Sequence, residues 1–174
     1  MKNHRNYGRS TAISVVAVSA LVGAALSAAP ALATPGSGFV PSPVANGHFG
    51  TLSINTAGDK TDKWGMVLKT LDDTDVGADR LTVQPQGYSG WHAHPAPVFV
   101  TVTQGTIEWF DDALCAAHTY HTGQSFIEPA YRAHNVRNPA ATGGTVAEFI
   151  AIVVKPAGFV GPAFRINRDQ PSSC

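Results

Sequence analysis

Charge is scarce in this sequence and is evenly divided between the two signs. Charged residues make up 14% of the 174 positions, and 12 Lys and Arg residues balance 12 Asp and Glu residues. No run is rich in Lys or Arg, so nucleic acid and anionic membrane surfaces are poor candidate partners. The chain also has no serine nucleophile elbow, P-loop or dinucleotide fingerprint, and those enzyme classes lose support.

Cysteine is almost absent as well, since the chain has only Cys115 and Cys174. In an oxidising compartment an even pair predicts a disulfide, and this one would close a long loop worth roughly 3–5 kcal/mol. Metal binding or thiol catalysis is the alternative. It is disfavoured because no other Cys or His stands near Cys174.

Residues 1–33 follow the pattern of a secretory signal peptide. A basic start and an uncharged stretch over 11–29 precede the small-x-small sequence at 31–33. The stretch is rich in Ala and lacks a charged stop, which favours cleavage over the alternative of a membrane anchor. We therefore predict a secreted, extracellular protein with no membrane contact after cleavage and a slight acidic excess.

The rest of the sequence predicts a flexible arm followed by a single domain. Residues 34–46 are rich in Pro, Gly, Ser and Ala and predict the arm, and residues 47–174 predict the domain. No window there has the apolar stripe of a helix. Short β-type runs separated by Gly and Pro predict an all-β fold, an antiparallel sandwich or barrel. Two of these runs, 97–103 and 106–110, predict a hairpin around Gly105.

Two segments carry the residues suited to chemistry. His92 and His94 are two apart in a predicted strand, so both side chains point to one face and can converge on one ion. About 30 residues later comes a second segment of distinctive spacing. It has a Gly, then Pro, His and Asn after gaps of five, four and three residues: Gly123, Pro129, His134 and Asn138.

Together these segments resemble the paired motifs of the cupin superfamily. The resemblance carries His92 and His94 to the two histidines of the first motif, Gly105 to its last glycine, and His134 to the histidine of the second. It implies a cupin-type antiparallel β-barrel, also called a double-stranded β-helix or jelly roll. It also implies one divalent metal bound by His92, His94 and His134.

The sequence departs from the family pattern at two informative positions. The family's glutamate ligand falls at Val98, which cannot bind a metal, so the implied ligand set is three histidines. The second Gly of the second motif is replaced by Tyr131, which removes the residue best suited to a positive φ. Three-histidine cupins bind ferrous iron or zinc, so the resemblance still implies a site.

The metal and the catalytic groups stay open at this stage. Three imidazoles suit iron, zinc, copper and nickel, manganese is a further candidate, and three ligands leave coordination positions for water or substrate. Glu128 is the obvious carboxylate for acid–base catalysis, and an outward-facing glutamate at a strand end is the alternative. The three histidines of an empty barrel could instead be satisfied by hydrogen bonds.

Three functions fit this reading, because one fold hosts many activities. The first is a metal-dependent dioxygenase acting on a small oxygen-rich molecule. The second is a non-catalytic extracellular barrel that binds a small molecule or a metal. The third is a structural barrel. The expected partner is a small-molecule ligand or substrate, and the chain is expected to be a monomer or a homodimer.

Overall fold

A computed structural model of the chain describes residues 35–56, 64–113, 115–159, 164–172 and 174. The predicted signal peptide lies outside these residues. The described residues contain almost no helix, and none of their helices is long and apolar enough to cross a membrane. Twelve strands account for most of the described chain.

The strands follow one another along the chain with short connections. They are β1 (Ser37–Phe49), β2 (Ser53–Asn55), β3 (Val67–Lys69), β4 (Thr74–Tyr88), β5 (His92–Ala93), β6 (Val98–Gln104), β7 (Thr106–Asp111), β8 (Ala117–His121), β9 (Ser125–Glu128), β10 (His134–Arg137), β11 (Ala147–Pro156) and β12 (Ile166–Asn167).

Ten of the strands form one antiparallel sheet that closes most of the way into a barrel. Its order is β12-β5-β10-β4-β11-β6-β9, with β1 added to β4, β7 to β10 and β8 to β7. The remaining strands, β2 and β3, pair only with each other. The predicted all-β cupin-type antiparallel barrel is therefore confirmed.

The long pair of β4 and β11 shows why the sequence folds this way. In β11 buried and less buried residues alternate from Ala147 to Pro156, so every second side chain enters the barrel. The buried interior of the barrel is mostly aliphatic and rich in valine, which suits strands: Leu81, Val83, Val98, Val100, Val102, Ile107, Val136, Phe149 and Val153. Each such side chain contributes about 1.5–3 kcal/mol on burial.

The prediction of a flexible arm over residues 34–46 is wrong for most of that segment. Strand β1 pairs with β4 from Phe39 opposite Val83 to Phe49 opposite Thr74. The Phe39 ring also lies 6.2 Å from the Phe149 ring, between centroids. Pro41 and Pro43 obscured this strand in the sequence, but proline is tolerated at a sheet edge, where its missing N–H is not needed.

The predicted hairpin of 97–103 and 106–110 is also wrong. Among the described residues β6 pairs with β11 and β9, whereas β7 pairs with β10 and β8. Gly105 takes a positive φ of 73° between them. The chain therefore turns a corner here and passes from one part of the barrel to another.

Cys115 and Cys174 form the disulfide that the sequence predicts, with 59 residues of separation and Cα atoms 5.3 Å apart. We expect the double variant Cys115→Ser, Cys174→Ser to lose about 4 kcal/mol of unfolding free energy, because the unfolded chain is no longer restricted by the closed loop. Urea unfolding with and without a reductant measures this. A loss below about 1 kcal/mol would contradict the expectation.

Asp75, near the start of β4, links this strand to β1, and its ionisation predicts that stability depends on pH. Its carboxylate accepts a hydrogen bond from His48 Nδ1 at 2.9 Å and lies 3.9 Å from Lys155 Nζ. The hydrogen bond from His48 is the main cause that lowers the pKa of Asp75 below 3.8, although burial opposes it. A lowered carboxyl pKa stabilises the fold above the unfolded value, and this contribution is lost as the pH falls through the folded value.

We therefore expect Asp75→Asn to lower the urea midpoint at pH 7, and we expect the difference from wild type to shrink below about pH 3.8. The control is Asp169→Asn, since Asp169 is exposed. A difference that stays constant down to pH 3 would show that the charge of Asp75 is not involved.

Candidate metal centre

Three short segments bring the predicted histidines together inside the barrel. His92 lies on β5 directly opposite His134 on β10, and His94 follows β5 by one residue. All three are buried, with 4%, 4% and 0% of their surface exposed for His92, His94 and His134. One ring nitrogen of each lies within 4.8 Å of the others, so this group could hold a metal ion.

Backbone carbonyls fix the orientation of all three rings. The Nδ1 atoms of His92 and His134 donate to the carbonyls of Gly90 and Arg132, both at 2.9 Å. His94 Nδ1 donates to the carbonyl of Phe164 at 3.2 Å. A proton on each Nδ1 leaves Nε2 as the nitrogen with a lone pair, which is how second-shell groups prepare histidine ligands.

The Nε2 atom of His134 gives the clearest sign that the residues fit an ion. It is buried and has no hydrogen-bond partner within the part of the chain that the structure describes. A buried polar atom without a partner is costly, and such atoms in native proteins need an explanation. A metal ion bound to Nε2 would supply one.

Glu128 faces this centre from the end of β9. Only 4% of its surface is exposed. Its Oε2 lies 3.2 Å from His94 Nε2, and its Oε1 lies 3.4 Å from His134 Nε2, where the alignment does not make a hydrogen bond. The alternative of an outward-facing glutamate is therefore wrong for this residue.

Burial and the charges of neighbouring groups shift the pKa values of His92, Glu128 and His134. Burial, and then the neighbouring His134 and His94, lower the pKa of His92 well below 6.5, so this ring stays neutral as a metal ligand must. Burial opposes ionisation of Glu128, but the charges of the neighbouring His134 and His94 outweigh it and hold its pKa well below the usual range. Burial lowers the pKa of His134, but the neighbouring Glu128 carboxylate outweighs burial and raises the pKa above 6.5.

Val98 and Tyr131, the two departures from the motif, both have structural explanations. Val98 is buried and points into the barrel, and it lies directly opposite Glu128 in the pairing of β6 and β9. Tyr131 takes a positive φ of 57°, as a glycine there would, and its N–H donates to the carbonyl of His94 at 2.8 Å. The turn before His134 thus keeps its shape despite the bulkier residue.

A small cavity of about 20 Å³ opens beside His92, His94 and Glu128, which is room for about one water molecule. Its wall is mainly apolar and includes Leu81, Val98, Val136, Phe149 and Ala151.

Sequence reasoning missed two polar residues of this wall, Asp79 and Arg165. Asp79 is 4% exposed, and burial raises its pKa. The alternation of β4 is the signal that could have placed it inside the barrel.

Phe164 lines the cavity, and its ring packs against Gly77. A side-chain carbon added at Gly77 would overlap the Phe164 ring. Lys155 Nζ lies 4.3 Å from the centre of the same ring. Arg165 holds the adjacent backbone in place, because its guanidinium donates to the carbonyls of Ser89 and Trp91.

We expect Gly77→Ala to lower the unfolding free energy by about 1–3 kcal/mol, because the new methyl group collides with the Phe164 ring. Gly50→Ala is the matched control, since its new carbon would meet nothing closer than 4.0 Å. Chemical denaturation of both variants measures the difference. Equal stabilities would show that Phe164 moves aside without cost.

Comparisons with known proteins agree with the motifs and the fold. The family model of the cupin domain matches residues 79–153. No curated protein matches the chain significantly.

Many solved structures are similar to this chain, and three of them show the range of the likeness. A conserved protein of unknown function from Streptococcus pyogenes is 22% identical, with 48% of this chain and 67% of that chain covered and a TM-score of 0.41. A cupin-superfamily sugar phosphate isomerase from Silicibacter pomeroyi is 25% identical over 44% of this chain and 48% of its own, with a TM-score of 0.38. A cupin-2 domain protein from Rhodospirillum rubrum is 12% identical over 79% and 70%, with a TM-score of 0.48.

This chain spans about half the length of the isomerase. The family model covers the stretch from β4 to β11 that holds all three histidines, and that stretch folds into the expected barrel. Residues 79–153 of this chain are a cupin domain.

Proposed function

We propose that this protein is a secreted metal-binding cupin that holds one divalent ion on His92, His94 and His134 and presents it to a small molecule. The observation that carries the proposal is the common orientation of the three rings. Each Nδ1 donates to a backbone carbonyl, so each ring can turn a basic Nε2 towards the shared space. Iron, zinc, copper and nickel suit imidazole ligands, and manganese is a further candidate that prefers oxygen ligands.

The proposed activity is that of a metal-dependent dioxygenase acting on a small oxygen-rich molecule. A bound ion would supply Lewis acidity and open coordination positions, and a redox-active ion could also engage O₂. The apolar wall excludes water from the reacting face. In this activity Glu128 would serve as the acid–base group, because its carboxylate lies at the centre, 3.2 Å from His94 Nε2.

A second function, capture of a small ligand or of the metal without catalysis, is favoured by the size of the cavity. About 20 Å³ is enough for about one water and not for a typical organic substrate. The Phe164 ring lines this cavity and packs against Gly77, which leaves no space between the two residues. A protein that only binds a metal needs no larger cavity.

Secretion is part of the proposal and rests on the N-terminal sequence pattern. The disulfide between Cys115 and Cys174 supports it, since such bridges persist in oxidising compartments. An extracellular barrel would meet its metal and its ligand outside the cell.

The test is the metal content of the purified protein by elemental mass spectrometry, after reconstitution under anaerobic conditions. We expect about one equivalent of a divalent metal in the wild type and almost none in His92→Ala or His134→Ala, because each variant removes one of only three imidazole ligands. His121→Ala is the matched control, since His121 is exposed on β8 and bonds to Thr106. Absence of metal from the reconstituted wild type would overturn the proposal.

A further inference from the structure

We propose that Glu128 is a fourth protein ligand of the ion and reaches it from β9, across the sheet from Val98. The inference rests on the proposed metal site and deepens it. It changes the ligand set from three neutral imidazoles to three imidazoles and one carboxylate.

The Glu128 carboxylate lies beside two of the three histidines. Its two oxygens lie 3.2 Å from His94 Nε2 and 3.4 Å from His134 Nε2. These are the same nitrogens that the Nδ1 hydrogen bonds leave available for a metal. The carboxylate therefore borders the space that an ion bound to these histidines would share.

Metal binding would remove the partners of the Glu128 carboxylate. Within the described residues, His94 and His134 are the side chains that lie within ion-pair distance of the Glu128 carboxylate. An imidazole whose Nδ1 carries a proton and whose Nε2 binds an ion has no second hydrogen to donate. Once the metal is bound, Glu128 loses both of these partners.

A buried carboxylate in that state would be unstable unless it found a new partner. Glu128 is only 4% exposed, and leaving a charge buried and unpaired is strongly unfavourable. The ion itself would be a positive charge beside the carboxylate, and divalent ions accept oxygen ligands. Coordination by one oxygen would satisfy the charge of Glu128.

Glu128 on β9 and Val98 on β6 occupy paired positions of neighbouring strands. Val98 lies opposite Glu128 in an antiparallel pair, and side chains so placed have Cβ atoms about 4.5–5.5 Å apart on the same face. Both side chains are buried, and both line the cavity beside His92 and His94. A carboxylate carried by either position would therefore enter nearly the same space.

The consequence for the metal is a preference for harder ions. Carboxylate oxygen suits manganese and iron, whereas a set of imidazoles alone gives copper and nickel a larger advantage. We expect Glu128→Gln to weaken manganese binding more than copper binding.

The experiment uses the mature protein with cobalt(II) as the probe, and it compares Glu128→Gln with wild type. We expect cobalt affinity to fall by more than about tenfold, and the visible absorption of bound cobalt to change because one oxygen ligand is replaced. Glu148→Gln is the matched control, since Glu148 lies on the outward side of β11. Circular dichroism verifies that each variant is folded.

The rescue variant combines Val98→Glu with Glu128→Val and should recover cobalt affinity to within a few-fold of wild type. Wild-type affinity and an unchanged cobalt spectrum in Glu128→Gln would overturn the fourth ligand while leaving the three-histidine site intact. Weaker binding with an unchanged spectrum would also overturn it, because Glu128 would then act only through the histidines. A wild type that binds no cobalt and no other divalent metal would refute the metal site itself.

Discussion

The pairing of β4 with β11 is the constraint on which the rest of this structure depends. The two strands stay in register from Ala147 opposite Val83 to Pro156 opposite Thr74. Strand β4 then carries β1 and β10, and β11 carries β6. Because side chains alternate along a strand, this register decides which side chains of β11 enter the barrel beside those of β4, and a slip by one residue would reverse the faces of the slipped strand.

A barrel built on aliphatic side chains accepts its polar centre only because almost every polar atom there has a partner. The three Nδ1 atoms are bonded to carbonyls of three separate segments, and Ser89 links the backbone of Val136 to the side chain of Asn135. Within the described residues, two buried side-chain atoms lack a hydrogen-bond partner, Trp109 Nε1 and His134 Nε2, and the second of them lies 3.4 Å from the Glu128 carboxylate. Part of the polar cost therefore lies where a ligand can offset it.

Much of this could be predicted from the sequence, and the misses have physical causes. The two-residue period placed His92 and His94 on one face, and motif spacing added His134. Strand β1 was missed because Pro41 and Pro43 hide an edge strand that tertiary pairing stabilises. The closeness of Glu128 and the packing of Phe164 depend on strand register and on contacts between distant segments, which no local pattern encodes.

The carbonyl of Phe164 has a consequence for how binding events influence one another. The same residue fills the space beside Gly77 and accepts the hydrogen bond that orients His94. A molecule that shifted the backbone of Phe164 as well as its ring would weaken the hydrogen bond that orients His94, so such a shift would also change the affinity for the ion. By reciprocity, an ion that held His94 in place would oppose that shift of Phe164.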